Sequence, residues 1–271
     1  MSAPEAEAPS TDRGVLWMAT YKDPVRAAKH AWRLLRESNY AIVFTGSGIS
    51  AEAGIPTFRS KDGLWNKYRP EELATPEAFA RDPLKVWRWY AWRISLVLRA
   101  EPMVSHRVIA ILEQKGIIKS TITQNVDGLH QRAGSIAVIE LHGSILRARC
   151  TRCGYKWEIT RMPRDSELPL KCPKCGALAR PDVVWFGEPL PVEAYQRALQ
   201  EFSRADLVLI VGTSGVVEPA GSLPLYAKSR GARLVNVNLE ANRYTGMCEV
   251  EFYGPSTSFF QALAGEAGIT V

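Results

Sequence analysis

Long hydrophobic runs are absent from this sequence of 271 residues. Apolar stretches such as 41–44 and 207–211 hold four or five residues, whereas a helix that crosses a bilayer needs about 20. We therefore expect no transmembrane segment and no membrane partner. Residues 1–13 are rich in Ala, Pro and Glu and have neither the basic start nor the apolar centre of a secretory signal. We expect them to form a disordered, solvated tail on a cytoplasmic protein.

Cysteine is scarce, and its pattern points to metal rather than to disulfides. Four of the five cysteines form the pairs Cys150-x2-Cys153 and Cys172-x2-Cys175, with 18 residues between the pairs. This spacing is typical of one zinc ion held by four thiolates, which leave no open position for water or substrate. We therefore predict one structural zinc. A redox dithiol is the alternative, but it does not require two matched pairs. Cys248 is expected to be a packed thiol.

Basic residues are in modest excess over acidic ones. The formal net charge is +6 and the isoelectric point is near 9.1, which favours loose contact with nucleic acid or acidic partners without requiring it. Basic residues also surround the paired cysteines. A zinc ribbon that binds nucleic acid is one interpretation, but no run of aromatic residues is interleaved with them. We interpret them as a solvated face and do not expect direct nucleic-acid binding.

Short apolar runs that alternate with helix-like segments predict an α/β fold. A chain of this length exceeds one average domain, so we expect a large domain and a smaller one. Asp23 and Pro24 resemble the cap and first residue of a helix that continues to about residue 37. Short strands separated by helices indicate a parallel sheet covered on both faces. Strands are expected at residues 40–44, 117–123, 137–141, 206–211 and 232–237, and further helices at 192–202 and 219–230.

Two segments interrupt this alternation, one rich in aromatic residues and one that contains the paired cysteines. We expect them to form the small domain, with a helical part at residues 58–110 and a zinc-binding part at 146–180. Residues 14–57, 111–145 and 181–271 would then form the Rossmann-like domain, into which the small domain is inserted.

A glycine-rich turn, Gly46-Ser47-Gly48-Ile49-Ser50, follows a predicted strand and opens a helix-like segment. Glycines there permit a tight turn and let backbone N–H groups approach a phosphate. Taken alone the pattern is weak, and an ordinary glycine turn explains it equally well. A dehydrogenase would also have an acidic residue about 20 positions later, at the end of the next strand, and none is evident. Hydride transfer is therefore disfavoured.

Polar residues end two further strands. Gln124, Asn125 and Asp127 follow the strand at 117–123 and lie at the edge where open α/β sheets bind ligands. His142 follows another strand, and histidine suits proton transfer near neutral pH. A single histidine is more often structural than catalytic, but its combination with the other motifs favours catalysis.

Six motifs follow one another along the chain. They are Gly46-Ser-Gly-Ile-Ser-Ala-Glu-Ala-Gly-Ile-Pro-Thr-Phe-Arg59, Thr123-Gln-Asn-Val-Asp127, Leu141-His-Gly143, the two cysteine pairs, Val184-Trp-Phe-Gly-Glu188 and Gly212-Thr-Ser214. In this order they resemble the motifs of the sirtuin family. The likeness spans nearly the whole chain, and the ordered set is very specific. Ser47 stands where the family usually has alanine. Thr57 replaces a common aspartate and is similar to the variant in the branch that removes acidic acyl groups.

The resemblance implies that NAD binds in the cleft between a Rossmann-like domain and a small domain with a helical and a zinc part. NAD would be consumed as a co-substrate. Asn125 and His142 would be catalytic, with His142 as a general base, and residues 56–65 would form a lid that excludes water. The implied cofactor-binding residues are Gly46, Ser47, Gly48, Ser50, Glu52, Phe58, Arg59, Trp65, Gln124, Asn125, Val126, Asp127, Gly212, Thr213, Ser214, Asn238, Leu239, Glu240 and Ser256.

The resemblance also implies the reaction. The amide oxygen of an acyl-lysine would attack the carbon that bears nicotinamide, and the products would be free lysine, nicotinamide and an O-acyl-ADP-ribose. Acylated lysine-containing proteins, basic chromatin proteins among them, would bind as an added strand. The residues implied to contact this substrate are Val184, Phe186, Gly187, Glu188 and Val216.

Tyr90 and Arg93 lie three apart in a segment that we expect to be helical, so their side chains share one face. A phenol and a guanidinium on one face can converge on a carboxylate. On spacing alone they would be a core aromatic and a surface charge. The pair resembles that of the sirtuin branch that accepts succinyl and malonyl lysine, so we expect these groups, as well as acetyl, to be removed.

Two other functions stay open. A mono-ADP-ribosyltransferase would use the same cofactor and the same leaving group. A non-catalytic zinc protein that binds NAD or nucleic acid is the second alternative, although a binder does not need Asn125, Asp127 and His142 together.

Overall fold

A parallel sheet forms the centre of this protein. The computed structural model describes residues 18–58 and 63–271 and, for Trp65, the backbone only. The predicted tail at residues 1–13 and the predicted cofactor residue Arg59 lie outside the described residues. The described strands are β1 (Ala19–Tyr21), β2 (Ala41–Thr45), β3 (Ile118–Thr123), β4 (Val138–Glu140), β5 (Gly143–Cys150), β6 (Lys156–Glu158), β7 (Ala179–Val183), β8 (Leu207–Val211), β9 (Arg233–Asn238) and β10 (Val250–Tyr253).

Helices cover both faces of the sheet. In the described part of the chain they are α1 (Pro24–Glu37), α2 (Gly48–Ala51), α3 (Leu64–Lys67), α4 (Pro70–Leu73), α5 (Pro76–Arg81), α6 (Pro83–Arg99), α7 (Val104–Gln114), α8 (Leu129–Arg132), α9 (Val192–Arg204), α10 (Leu223–Ser229) and α11 (Ser256–Glu266). Short 3-10 turns span Asp165–Glu167 and Ala220–Ser222. Among the residues described, no helix combines the length and the apolar composition that crossing a membrane requires.

The order of the strands decides where a ligand can bind. Within the described residues, seven strands form one sheet in the order β1-β10-β9-β8-β2-β3-β4, and all neighbouring pairs are parallel. The chain leaves β2 towards β3 and later returns to β2 on its other side with β8. Open sheets bind ligands outside the carboxyl ends of the strands at such a reversal of strand order.

The fully buried strand β2 shows how the sheet is stabilised. Ala41 and Val43 join a core cluster with α1, α7 and α11, whereas Ile42 and Phe44 join a second cluster with α9 and α10. Because successive side chains of a strand point to opposite faces, a strand between two helical layers buries both of its faces, and β2 is accordingly apolar from Ala41 to Phe44. The predicted parallel sheet covered on both faces is therefore confirmed.

Most of the elements that the sequence predicts are observed. The helix at 24–37 is confirmed, with the Asp23 carboxylate accepting the N–H of Val25 at 2.9 Å. The prediction of one helix over 219–230 was wrong, because a 3-10 turn precedes α10. Pro224 lies in the first turn of α10, where its missing N–H costs nothing. In the large domain, β1, α8, β10 and α11 were not predicted.

The smaller part of the chain consists of α3 to α6 and an antiparallel sheet with the order β6-β5-β7, counted over the described residues. The indole N–H of Trp87 on α6 donates to the carbonyl of Ala179 at 2.8 Å and joins the helical and zinc-binding parts. Residue 110, the predicted boundary, falls inside α7, which packs into the core of the large sheet through Val108 and Leu112. We therefore propose that the helical part of the small domain ends before Val104.

Candidate active site

The carboxyl ends of the central strands open into a cleft of about 640 Å³. A cleft of this size is typical of small-molecule and cofactor sites, which have volumes of roughly 300–1,000 Å³. It lies at the reversal of strand order and also reaches α6 and the segment after β7. Predicted site residues that line it are Gly46, Ser47, Gly48, Glu52, Phe58, Gln124, Asn125, Val126, His142, Gly212, Thr213, Ser214, Asn238, Leu239, Glu240, Ser256, Tyr90, Arg93, Val184, Phe186, Gly187 and Glu188.

Glycines at the cleft floor allow the loops after β2 and β8 to cross. The N–H of Gly48 donates to the carbonyl of Gly212 at 2.8 Å. A Cβ atom on Gly48 would lie 2.7 Å from Cα of Gly212, and one on Gly212 would lie 2.3 Å from the nitrogen of Ile49. The sequence predicts glycine at positions 46 and 48 from a tight turn and from the approach of a phosphate. The contact between the two loops is an additional reason for glycine at these positions.

Gly212→Ala is therefore expected to destabilise the protein. Gly212 has φ of +63°, a left-handed conformation that costs other residues about 1–2 kcal/mol, and the clash with Ile49 adds an overpacking cost of about 1–3 kcal/mol. Gly268→Ala is the matched control, because Gly268 has the same φ and no neighbouring atom within 4 Å of its Cβ position. Urea denaturation would compare the two free energies of unfolding. If Gly212→Ala and Gly268→Ala lower the free energy of unfolding equally, the close contact between the two loops does not restrict residue 212.

Asn125 is held rigidly at the cleft wall. Its Nδ2 donates to the carbonyl of Gly46 at 3.1 Å and to Oγ of Ser50 at 3.2 Å, and its backbone N–H donates to Oγ1 of Thr123 at 3.0 Å. Only 8% of the residue is exposed. Because Nδ2 is occupied, the side-chain oxygen is the part of Asn125 that is left to accept a hydrogen bond from a ligand.

Behind Asn125 lies a buried polar layer that sequence reasoning missed. His106 accepts the backbone N–H of Met103 at Nδ1, at 3.2 Å, and its Nε2 lies 3.4 Å from Oγ of Ser50. Burial lowers the pKa of His106 to about 4, so the ring is neutral at pH 7 and carries its hydrogen at Nε2. His106 lies on the apolar face of α7, where the sequence pattern indicates only a core position.

Two predicted cofactor residues, Ser50 and Asp127, are not among the residues that line the cleft. Both are buried, and Asp127 accepts the N–H of Leu129 at 2.9 Å. Burial raises the pKa of Asp127, while hydrogen bonds from Leu129 and Ser50 and the charge of Arg93 act against that shift. In this structure the two residues support the wall from behind.

His142 follows β4 and lines the cleft. Its Nδ1 lies 2.9 Å from the carbonyl oxygen of Gln124. A carbonyl oxygen only accepts hydrogen bonds, so Nδ1 must carry the hydrogen of the neutral ring. The unprotonated nitrogen is then Nε2, and the ring is in the tautomer that a general base requires.

Tyr90 and Arg93 share one side of α6, as their spacing predicts, and both line the cleft. The Arg93 guanidinium lies 4.8 to 5.4 Å from the ring centres of Phe58, Trp89 and Tyr90, and 8% of the residue is exposed. Burial lowers the pKa of Arg93, but a guanidinium remains charged in proteins. No salt bridge among the described residues includes Arg93. The pocket therefore presents a buried positive charge.

The far end of the cleft is formed where β9 and β10 end. Glu52, predicted to contact the cofactor, accepts hydrogen bonds at 3.2 Å from Oγ of Ser256 and from the N–H of Thr257 in the first turn of α11. Four lining residues there were not predicted, two in the loop after β9 and two directly after β10, a strand that was itself missed. They are Ala241, Asn242, Gly254 and Pro255.

The wall of the cleft that is predicted to contact the substrate is formed largely by the segment after β7. Val216 is 57% exposed and does not line the cleft, whereas its neighbours Val217 and Glu218 do. The prediction thus identified the correct loop but not the lining residue. Sequence reasoning also missed Ala74 and Leu190 as lining residues. Arg59 and the side chain of Trp65 lie outside the described residues, as does part of the predicted lid at 56–65.

The four paired cysteines converge in the antiparallel sheet. Their sulfur atoms all lie within 4.8 Å of one another, and three of the distances are 3.5, 3.5 and 3.7 Å. A tetrahedral zinc with Zn–S bonds of about 2.3 Å would separate its sulfur ligands by about 3.8 Å. Hydrogen bonds from the N–H of Ala177 and from Arg152 lower the pKa of Cys175 to about 6, whereas the neighbouring cysteine side chains raise the pKa of Cys153 to about 11. The cluster therefore fits the predicted structural zinc.

Known proteins resemble this chain over most of its length. The Sir2 family profile matches residues 46–219. An NAD-dependent protein deacylase of Aeropyrum pernix is 56% identical over 239 residues, which cover 88% of this chain and 97% of that protein. The crystal structure of a Sir2 homologue in complex with NAD matches with a TM-score of 0.83 and 48% identity, over 89% of this chain and 94% of that one. A Sir2 structure with a deacetylated p53 peptide and 3'-O-acetyl ADP ribose matches with a TM-score of 0.83 and 37% identity, over 89% and 99%.

Proposed function

Because the chain belongs to the Sir2 family, we propose that it is an NAD-dependent deacylase that removes acyl groups from protein lysines. The observation that carries this proposal is the 2.9 Å contact between Nδ1 of His142 and the carbonyl of Gln124, which leaves Nε2 as the basic nitrogen in the same cleft as Asn125. A protein that only binds NAD would need no base there. Similar chains are NAD-dependent protein deacylases, which supports the proposal.

The cleft fits NAD. Glycine backbone at the loop crossing leaves room for a pyrophosphate, and polar side chains lie at both ends of the cleft. When bound, NAD supplies the ADP-ribosyl group that accepts the acyl chain and the nicotinamide that leaves. Asn125 would orient the nicotinamide ribose through its side-chain oxygen, while Gln124, held by Oγ1 of Thr213 at 2.8 Å, fixes the adjoining wall. His142 would take a proton from a ribose hydroxyl at Nε2.

The acylated protein would bind as an added strand between the segment after β7 and the loop after β8. Main-chain recognition of this kind tolerates many sequences. The Sir2 structure with a deacetylated p53 peptide supports peptide substrates for this fold. Basic chromatin proteins as substrates remain a prediction of the sequence.

The proposed activity includes the removal of acidic acyl groups, such as succinyl and malonyl, from lysine. Arg93 provides a buried guanidinium that forms no salt bridge with a described residue, and a buried charge is stable only with a partner. The surrounding rings, a hydrogen bond with Tyr90 and the charge of Asp127 supply part of that stabilisation, and the terminal carboxylate of a succinyl or malonyl chain would add to it. An acetyl group would lack this carboxylate contact but still fits the apolar cleft.

Arg93→Met tests this range. Methionine keeps the apolar length of the side chain and removes the charge. A hydrogen bond to a charged group contributes about 1.5–3 kcal/mol, so desuccinylation should fall roughly ten- to a hundredfold. Deacetylation should change much less. The measurement is kcat/KM for matched acetyl- and succinyl-lysine peptides with both proteins, and equal losses on the two substrates would remove Arg93 from carboxylate recognition.

Mono-ADP-ribosyl transfer is the second candidate, because it would use the same cofactor and base. Intact-mass analysis of an acylated protein incubated with NAD separates the two. Deacylation lowers the mass of the target by one acyl group, whereas transfer raises it by one ADP-ribosyl group. A mass increase without acyl loss would contradict the proposal.

A further inference from the structure

The part of the cleft lined by Tyr90 and Arg93, here called the acyl pocket, is supported by an arginine that does not itself line the cleft. Arg180 lies on β7 and is 7% exposed. Its guanidinium lies over the indole of Trp185, 3.3 Å from the ring centre. It donates to both carboxylate oxygens of Glu188, at 2.5 and 2.8 Å, and to the carbonyl of Val183 at 2.9 Å. Stacking and a two-pronged ion pair together fix the plane of the guanidinium, and thereby the plane of the indole beneath it.

Trp185 links Arg180 to Tyr90 by packing and hydrogen bonds. Its backbone N–H donates to Glu188 at 2.9 Å, and its indole N–H donates to the hydroxyl of Tyr90 at 2.9 Å. An indole nitrogen is a donor only, so the hydroxyl oxygen of Tyr90 must accept this bond. The hydroxyl hydrogen of Tyr90 is then directed away from the indole, and Tyr90 lines the cleft.

We infer that Arg180 is a positioning residue for acyl-group selectivity, acting through Trp185 and Tyr90. By holding the indole N–H on the hydroxyl oxygen of Tyr90, it aims the hydroxyl hydrogen at the carboxylate of a succinyl or malonyl chain. This inference rests on the proposed function, because it requires an acidic acyl group in the cleft. Lysine is a poor substitute, since an ammonium group neither stacks on an indole nor forms the two-pronged bond.

Two variants test the inference. Arg180→Lys keeps the charge but removes the stacking plane, and Trp185→Phe keeps an aromatic ring but removes the N–H. Both should lower the succinyl-to-acetyl ratio of kcat/KM roughly two- to tenfold, the effect of one misdirected hydrogen bond. The loss should lie in KM for the succinyl peptide. If Arg180→Lys fails to fold, Trp185→Phe alone decides the outcome.

Arg161→Lys is the matched control. Arg161 forms a comparable two-pronged pair with Glu167, at 2.7 and 2.8 Å, in the zinc-binding part and does not line the cleft. Its replacement should leave the succinyl-to-acetyl ratio unchanged. If this control lowers the ratio as much as Arg180→Lys does, the effect is a general one and the inference is overturned.

Tyr90→Phe separates failure of the inference from failure of the proposed acyl range. If Tyr90→Phe lowers the ratio but Arg180→Lys and Trp185→Phe do not, the acidic pocket stands and Arg180 has no role in it. If none of the three changes the ratio, the acidic pocket itself fails. In the double variant that combines Arg180→Lys with Tyr90→Phe, the succinyl-to-acetyl ratio should equal that of Tyr90→Phe alone. A further fall of the ratio would show that Arg180 does not act through Tyr90.

Discussion

Replacing His142 with alanine is expected to lower kcat for deacylation by about 10²–10⁴-fold while leaving NAD binding nearly unchanged. The carbonyl of Gln124 holds Nδ1 of His142 at 2.9 Å and keeps Nε2 as the basic nitrogen. A base of this kind acts on a hydroxyl during the reaction, so its loss affects chemistry and not cofactor affinity. Single-turnover kinetics would measure the chemical step, and calorimetric titration would measure NAD affinity.

His30→Ala is the control for His142→Ala. His30 lies on α1, where it hydrogen-bonds the hydroxyl of Tyr21 at 3.1 Å, and it does not line the cleft. Its loss should leave the rate unchanged. A His142→Ala protein with near-normal turnover would exclude the assigned base, and a parallel loss of NAD affinity would indicate a binding role instead.

Cys172→Ser is expected to remove most of the zinc and to destabilise the small domain. The four sulfur atoms form one closed cluster that joins the end of β5 to the loop before β7, so the loss of one thiolate opens the site. Metal loss belongs to the few mechanisms that cost at least about 4 kcal/mol. For a protein of this size, that cost lowers Tm by roughly 10 °C. Elemental analysis and thermal unfolding would measure zinc content and Tm on the same sample.

Cys248→Ser separates zinc loss from general damage to the core. Cys248 is fully buried, donates through Sγ to the carbonyl of Tyr244 at 3.3 Å, and lies outside the metal cluster. Its replacement should keep one zinc per chain. A Cys172→Ser protein without zinc but with unchanged Tm and activity would contradict a structural role for the metal.

Elements with a strong apolar pattern were predictable from the sequence. β2 and β8 are continuous apolar runs between polar residues, and α1 has a capping aspartate followed by proline. β10 was missed because a charged residue interrupts it. Glu251 is 5% exposed and accepts hydrogen bonds from the N–H of Gly246, at 2.5 Å, and from the hydroxyl of Tyr253, at 2.8 Å. Those partners are supplied by the fold, so a buried carboxylate cannot be recognised from local sequence.

The candidate site was predictable where a motif coincides with a strand end and not elsewhere. Gln124, Asn125 and His142 follow strands directly, so the sheet itself brings them into one cleft. Arg180 and His106 act on the cleft from behind, across contacts distant in sequence. No spacing rule points to such residues.

The central claim is that acyl transfer from lysine and consumption of NAD are one reaction. The most direct test incubates the purified protein with NAD and peptides that carry acetyl-, succinyl- or malonyl-lysine, and follows all products by mass spectrometry. We expect one nicotinamide and one O-acyl-ADP-ribose for every lysine that is freed. Lysine freed without NAD, or nicotinamide released while the peptide keeps its acyl group, would contradict the account.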